Sequence, residues 1–234
     1  MTQTRREQLV RLARLHDSLV ISDDVYDFLN WGPNPALPRM TDIDARLDGG
    51  PGLFGHTVSN GSFSKLLGPG LRTGWAEGTP AFIRGLSLCG SSASGGPPSQ
   101  LTSWIAADAI SSGRLDQHIE SVLKPVLKRK SQSLLRAIET FLVPLGVRLV
   151  QSPEAVHGGY FVCVKLPSHI DSRWLCDQAE RSMGLLLARG GLFAVHEDEE
   201  PIDGRDFVRL CFAYEPEDRL VEGIRRIAVL LARS

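Results

Sequence analysis

The 234-residue chain has only four cysteines, and Cys89, Cys163, Cys176 and Cys211 are too far apart to make a C-x-x-C pair. That argues against a disulfide-built scaffold or a thiolate zinc site, and predicts reduced thiols in a cytoplasmic protein. The six histidines have no metal-ligand spacing, so no metal centre is expected. With a formal net charge of −1 there is no basic surplus to attract nucleic acid or an anionic membrane surface. No apolar run approaches the roughly 18 residues needed to span a bilayer, and Met1-Thr2-Gln3-Thr4-Arg5-Arg6 carries no apolar signal core. No G-x-S-x-G elbow occurs, and Gly68, Gly70 and Gly74 fit neither the dinucleotide fingerprint nor the P-loop. Without a secretion signal, the sequon Asn60-Gly61-Ser62 reads as accidental.

What the chain has is ample apolar material, 42% hydrophobic with 23% charged, enough for a sizeable core in one or two domains. Leu9, Leu12 and Ala13 share a helical face over 5–16, ended by His16-Asp17. The short apolar segment 18–22 predicts a parallel strand covered on both faces. Asp23 then falls at its carboxyl end, where open α/β sheets bind ligands. Residues 27–55, rich in Pro and Gly, read as a surface excursion. Strands are predicted at His56–Asn60 and Leu71–Ala76, a helix from Thr79-Pro80, a loop at Ser91–Pro98 and a helix over 99–112. A long helix follows over 115–142 with a kink at Pro125. Beyond it come strands at Val147–Val150, Tyr160–Val164, Leu185–Leu187 and Phe207–Phe212, and helices over 172–182 and 216–232. The pattern is α/β in two units, 1–114 and 115–234, joined by the long helix.

One segment carries chemistry: Ser62-Phe63-Ser64-Lys65-Leu66-Leu67-Gly68-Pro69-Gly70-Leu71-Arg72-Thr73-Gly74-Trp75. It places an amine, two hydroxyls and a guanidinium on a loop whose glycines let backbone approach a ligand. An anionic aldehyde cofactor needs such a set: an amine to condense with the carbonyl, hydroxyls and an Arg for a phosphate. Taken singly, Ser-x-Ser-Lys is common, most surface lysines only solvate, and Asp23-Asp24 could end a strand or cap a helix. The order distinguishes this chain: buried strand, acid, Tyr26, second strand, Lys65 loop, Arg72, and far downstream Arg209 within a strand.

In that order the chain resembles the pyridoxal-phosphate (PLP) enzymes of the class I/II aminotransferase family. The interval with Gly-Pro-Gly-Leu-Arg-x-Gly-Trp resembles the subgroup of 2-aminoadipate and kynurenine aminotransferases. The resemblance implies PLP fold type I, with an incomplete large-domain sheet in 1–114 and a small α/β domain in 115–234. It implies amino-group transfer between an amino acid and a 2-oxo acid, with Lys65 as anchor and proton carrier. Asp23, by the D-x-x-Y spacing, would face the ring nitrogen and Tyr26 the phenolic oxygen. Asp24 is the less suitable neighbour, since successive strand residues point opposite ways. Ser62, three residues before Lys65, and Arg72, seven after it, would hold the phosphate. Leu66 departs from the hydroxyl residue usual after the lysine. Arg209 matches the arginine that grips the substrate α-carboxylate, although an Arg paired with an acid at a strand edge is an alternative.

The resemblance covers the second part of the family fold. A stacking aromatic, an Asn-Pro-x-Gly asparagine, the first phosphate-binding turn and the substrate-contacting arm are expected upstream of the helix that begins at Thr4. The sheet left behind would expose an edge and an apolar face. A truncated enzyme, a non-catalytic fragment and a PLP-binding sensor domain derived from an aminotransferase are all compatible with this pattern. Family members are expected as homodimers.

Overall fold

Thr2 starts the first helix by accepting the Arg5 backbone N–H on its side chain at 3.2 Å. Helix α1 (Gln3–Leu15) then turns Val10 and Ala13 inward. This is the first element of a computed structural model that describes residues 1–32, 37–93, 99–150, 157–194 and 204–233. The chain divides into two units, Met1–Lys124 and Pro125–Ser234; the division expected from sequence lies at 114/115.

In the first unit β1 (Val20–Asp23) runs parallel to β2 (Thr57–Ser62), in register from Val20↔Thr57 to Asp23↔Asn60. Strand β3 (Gly74–Glu77) lies antiparallel on the other side of β2, giving the order β1-β2-β3. Between β1 and β2 sits α2 (Met40–Arg46), inside the stretch expected to be an irregular excursion. The Arg39 N–H donates to the Asp42 carboxylate at 3.1 Å, and Met40 and Ile43 pack against Val10 of α1. Surrounding prolines and glycines masked this short amphipathic helix. Asp44, on the same helix, is almost fully buried at 1% exposure. Arg14 pairs with it at 2.7 Å, and the His56 N–H donates to it at 2.9 Å.

Two strand expectations need correction. Segment 18–22 is not covered on both faces, since Ile21 is 68% exposed and the burial of β1 alternates. Strand β1 lies at the edge of the sheet, and no described element covers that face. The expected strand Leu71–Ala76 begins only at Gly74, because Pro69–Leu71 forms a 3₁₀ turn and Arg72 is left-handed at φ 50°.

After β3 come α3 (Pro80–Ser87), capped by Thr79, then α4 (Gly90–Ala93), α5 (Gln100–Ser111) and α6 (Arg114–His118). Helix α4 occupies the start of the expected 91–98 loop, and 94–98 lie outside the described residues. Instead of a simple kink at Pro125, residues Ile119–Leu123 form a widened π turn, in which the Lys124 N–H reaches the Ile119 carbonyl. Proline has no N–H to give the preceding turn and its ring would strike that turn's carbonyl, so the helix widens there before resuming as α7 (Lys124–Phe141).

The second unit holds β4 (Arg148–Leu149), β5 (Phe161–Lys165), α8 (Ser172–Met183), β6 (Ala188–Arg189), β7 (Phe207–Cys211) and α9 (Glu217–Leu231). Its sheet is antiparallel in the order β4-β5-β7-β6. Leu134 and Ile138 of α7, Leu175 and Ala179 of α8, and Leu220, Ile224 and Ile227 of α9 supply its buried helix faces. The strand expected at Leu185–Leu187 begins three residues later, at β6. Gly184 closes α8 in a left-handed cap, and pairing starts only where Ala188 meets Arg209. The acidic run Glu197–Glu200, expected as a solvated loop, lies outside the described residues. Among the described residues no helix is long and apolar enough to cross a membrane, and no His/Cys/Asp/Glu group is placed to hold a metal.

Candidate functional site

The carboxyl end of β1 carries two acids in different surroundings. Asp24 is half-buried and already engaged, accepting the hydroxyls of Ser22 at 2.7 Å and Ser59 at 2.5 Å. Asp23, exposed at the strand end, accepts the side-chain amide of its register partner Asn60 at 3.0 Å. The alternation that turns Asp24 into the sheet turns Asp23 out toward the ligand end.

Three residues on, Tyr26 meets the loop that follows β2. The Lys65 ammonium stands 5.7 Å from the centre of the Tyr26 ring. The loop is a one-turn 3₁₀ helix, Phe63–Lys65, capped by Ser62, whose hydroxyl accepts the Ser64 N–H at 3.1 Å. That bond uses an oxygen lone pair and leaves the Ser62 O–H proton available to an anion. Leu66 is 4% exposed and anchors the loop in the core.

Arg72 comes back to the same place because the Phe63 N–H donates to the Thr73 carbonyl at 3.1 Å. Its guanidinium donates to the neutral Pro69 carbonyl at 3.1 Å, and no acid among the described residues forms an ion pair with it. A Cβ at Gly68 or Gly70 would meet nothing within 4 Å. Asp23, Tyr26, Ser62, Lys65 and Arg72 thus gather at one end of the sheet: an acid, a phenol, a hydroxyl, an amine and an unneutralised guanidinium. The set matches what an anionic pyridine aldehyde requires, and the open loop leaves backbone accessible to it.

Several neighbours escaped the sequence reading. Asn60, dismissed with the sequon, orients Asp23. Trp75 lies over Gly61 and against Phe63, with ring centres 4.8 Å apart, bracing the Lys65 turn from below. At the start of α5, Ser99 donates to the carbonyls of Leu71 and Arg72, and Thr102 donates to that of Leu71 at 3.0 Å. These contacts hold Arg72 in its left-handed conformation. Isolated Ser and Thr give no sequence signal of such a role.

Arg209 belongs to the second unit, on β7. It pairs with Cys163 of β5 and Ala188 of β6. Its guanidinium carbon sits 4.0 Å from the Phe161 ring centre and 4.3 Å from that of Phe193. Its Nε is buried with no hydrogen-bond partner among the described residues, and none of their acids forms an ion pair with it. Burial raises the Cys163 thiol pKa, while Arg209 pulls it down by less.

The model of "Aminotransferase class I and II" matches residues 2–227. An uncharacterized protein of Saccharomyces cerevisiae is 36% identical over 229 residues, which are 95% of this chain and 50% of that protein. Aromatic-amino-acid aminotransferase 1 of Thermococcus litoralis is 32% identical over 97% of this chain and 49% of its own length. The crystal structure of Pyrococcus horikoshii kynurenine aminotransferase, solved in complex with PMP, superposes over all of this chain and 52% of that one. Its TM-score is 0.82 at 30% identity. The chain therefore belongs to the class I and II aminotransferase family, has its α/β fold, and spans about half the length of the curated relatives it matches. Pyridoxal phosphate is the cofactor of that family.

Proposed function

We propose that this chain carries the cofactor-anchoring and carboxylate-holding residues of an aminotransferase that moves an amino group between an amino acid and a 2-oxo acid. The observation that carries the reading is the Lys65 ammonium over the Tyr26 ring, at the sheet end where Asn60 holds Asp23. When bound, pyridoxal phosphate supplies a conjugated cationic ring that withdraws electrons from the substrate Cα.

The chain's own residues take these parts. Lys65 Nζ would anchor the cofactor at its aldehyde carbon and, when free, would carry the proton removed from the substrate Cα over to that carbon. The Asp23 carboxylate keeps a proton on the ring nitrogen, because a nearby opposite charge favours the charged form. The Tyr26 hydroxyl donates to the ring's phenolic oxygen. Ser62 and Arg72 hold the phosphate, the guanidinium by its planar fork. Arg209 holds the substrate α-carboxylate in the same way and leaves the amino-acid side chain to other contacts. In this reading, 1–114 belong to the cofactor-binding domain and 115–234 to the small domain. The free state of all four cysteines supports a cytoplasmic setting, and the homodimer is carried over from the family.

Reduction of the cofactor-treated chain with borohydride, followed by digestion, tests the reading. A pyridoxyl group is expected on the Lys65 peptide. A label on another lysine, or none, removes Lys65 from its role.

A further inference from the structure

We infer that Phe161 and Phe193 are positioning residues that clamp the Arg209 guanidinium between two rings, so that it meets a carboxylate in one fixed plane. The inference rests on the proposed role of Arg209 as carboxylate anchor and goes beyond it, by assigning what aims the anchor. A guanidinium on a flexible stem ordinarily gets its orientation from an acid. Among the described residues Arg209 has no such acid, and none of them gives its buried Nε a hydrogen-bond partner. Orientation comes from the two aromatic rings instead, whose centres lie 4.0 and 4.3 Å from the guanidinium carbon. Stacking leaves the full positive charge available to an anion, whereas a carboxylate partner would neutralise it.

Each ring is itself held in place. On β5, Phe161 lies two residues from Cys163, the residue opposite Arg209, so it is the diagonal neighbour on the same face. Phe193 ends the 3₁₀ turn Gly190–Phe193 and stacks on Phe207, 6.4 Å away. The turn is seated by glycine, since a Cβ on Gly190 would fall 2.3 Å from the Gly204 carbonyl and 2.7 Å from the Phe207 ring. Rings packed on the guanidinium carbon leave its N–H groups to an incoming anion, and two parallel N–H···O bonds are what a carboxylate accepts from them.

The test uses the whole chain, labelled with nitrogen-15, and follows the Arg209 Nε–Hε signal, assigned by its disappearance in Arg209→Lys. The probe is acetate, a carboxylate with no side chain to recognise. The wild-type signal should shift saturably. Phe193→Leu, which keeps apolar bulk but removes the ring, should raise the acetate dissociation constant about three- to tenfold. Phe193→Tyr should restore it to within about twofold. Phe161→Leu repeats the test from the other ring should Phe193→Leu disturb the backbone amide spectrum. Unchanged affinity in both Leu variants, or equal weakening in Phe193→Leu and Phe193→Tyr, overturns the clamp and leaves the anchor reading standing. A wild-type Arg209 signal blind to acetate overturns the anchor reading, and the clamp with it.

Discussion

Trp75 occupies the place where a side chain on Gly61 would be: a Cβ at Gly61 would lie 2.1 Å from the indole Cε2 and 2.3 Å from Cζ2. The two residues are register partners on β2 and β3, so the glycine opens a slot and the tryptophan fills it. From that slot the indole reaches Phe63, the first residue of the Lys65 turn, and Phe28 beyond Tyr26, at 6.1 Å. Both segments that carry the candidate site therefore rest on one ring.

Gly61→Ala forces the indole out of this slot. Overpacking of this kind costs about 1–3 kcal/mol, and a value at the upper end is expected because the clash is with a rigid ring between strands. Urea unfolding followed by circular dichroism would measure it. Adding Trp75→Leu should recover part of the loss, because the two changes share one contact; strictly additive losses would contradict the relationship.

Asp44→Ala tests the core of the first unit. It removes the carboxylate that Arg14 and the His56 N–H share, leaving the His56 N–H without that acceptor and the part-buried Arg14 cation with only the backbone carbonyls of Asp44 and Asp48. Removing one partner of such a pair costs about 3 kcal/mol. The urea midpoint should fall accordingly, while the Lys65 label is retained in folded protein.

Much of this was legible from the chain. Caps and apolar spacing located α1, α3 and α9, because Leu9, Leu12 and Ala13 share a face, Thr79 announces a start, and Leu220, Ile224 and Ile227 repeat at the helical period. The Lys65 segment was legible because its chemistry lies within consecutive residues. Helix α2 was hidden because about two turns of amphipathic pattern cannot outweigh its proline-rich surroundings. The exposure of Ile21 was hidden because an apolar run reports what a strand could bury, not what lies over it. The partners of Arg209 were hidden for a third reason: Phe161 and Phe193 meet it only through the strand order β5-β7-β6, which local sequence does not encode.

Cys176 gives a pH dependence with a definite sign. Burial pushes its thiol up to about 11; Arg189 pulls it down, and Asp177 and Asp171 push with burial. An unfolded thiol titrates near about 8.5, so the folded chain binds this proton more tightly than the unfolded chain. Its contribution to stability is fully present below about pH 8.5 and is lost as the pH rises through about 11. The urea midpoint should fall over that window, and less steeply in Cys176→Ala. Alkylation at pH 8 should reach the exposed Cys89 well before Cys176.

Asn60 supplies the last prediction, because it separates a site contribution from a fold contribution. Its side chain is exposed and its one hydrogen bond of consequence is the amide donated to Asp23 at 3.0 Å. Removing it in Asn60→Ala should leave the urea midpoint within about 0.5 kcal/mol of wild type, as surface changes usually do. The Asp23 carboxylate, however, loses the donor that fixes its direction. If that carboxylate faces the ring nitrogen of pyridoxal phosphate, the lost hydrogen bond to a charged group is worth about 1.5 kcal/mol. Cofactor affinity should then fall about tenfold, read as the cofactor concentration giving half-maximal borohydride labelling of Lys65. Asn60→Asp should do worse than alanine, by placing a second negative charge against Asp23 and withdrawing the donor. Equal labelling by all three proteins would remove Asp23 from the cofactor's ring while leaving Lys65 as its anchor.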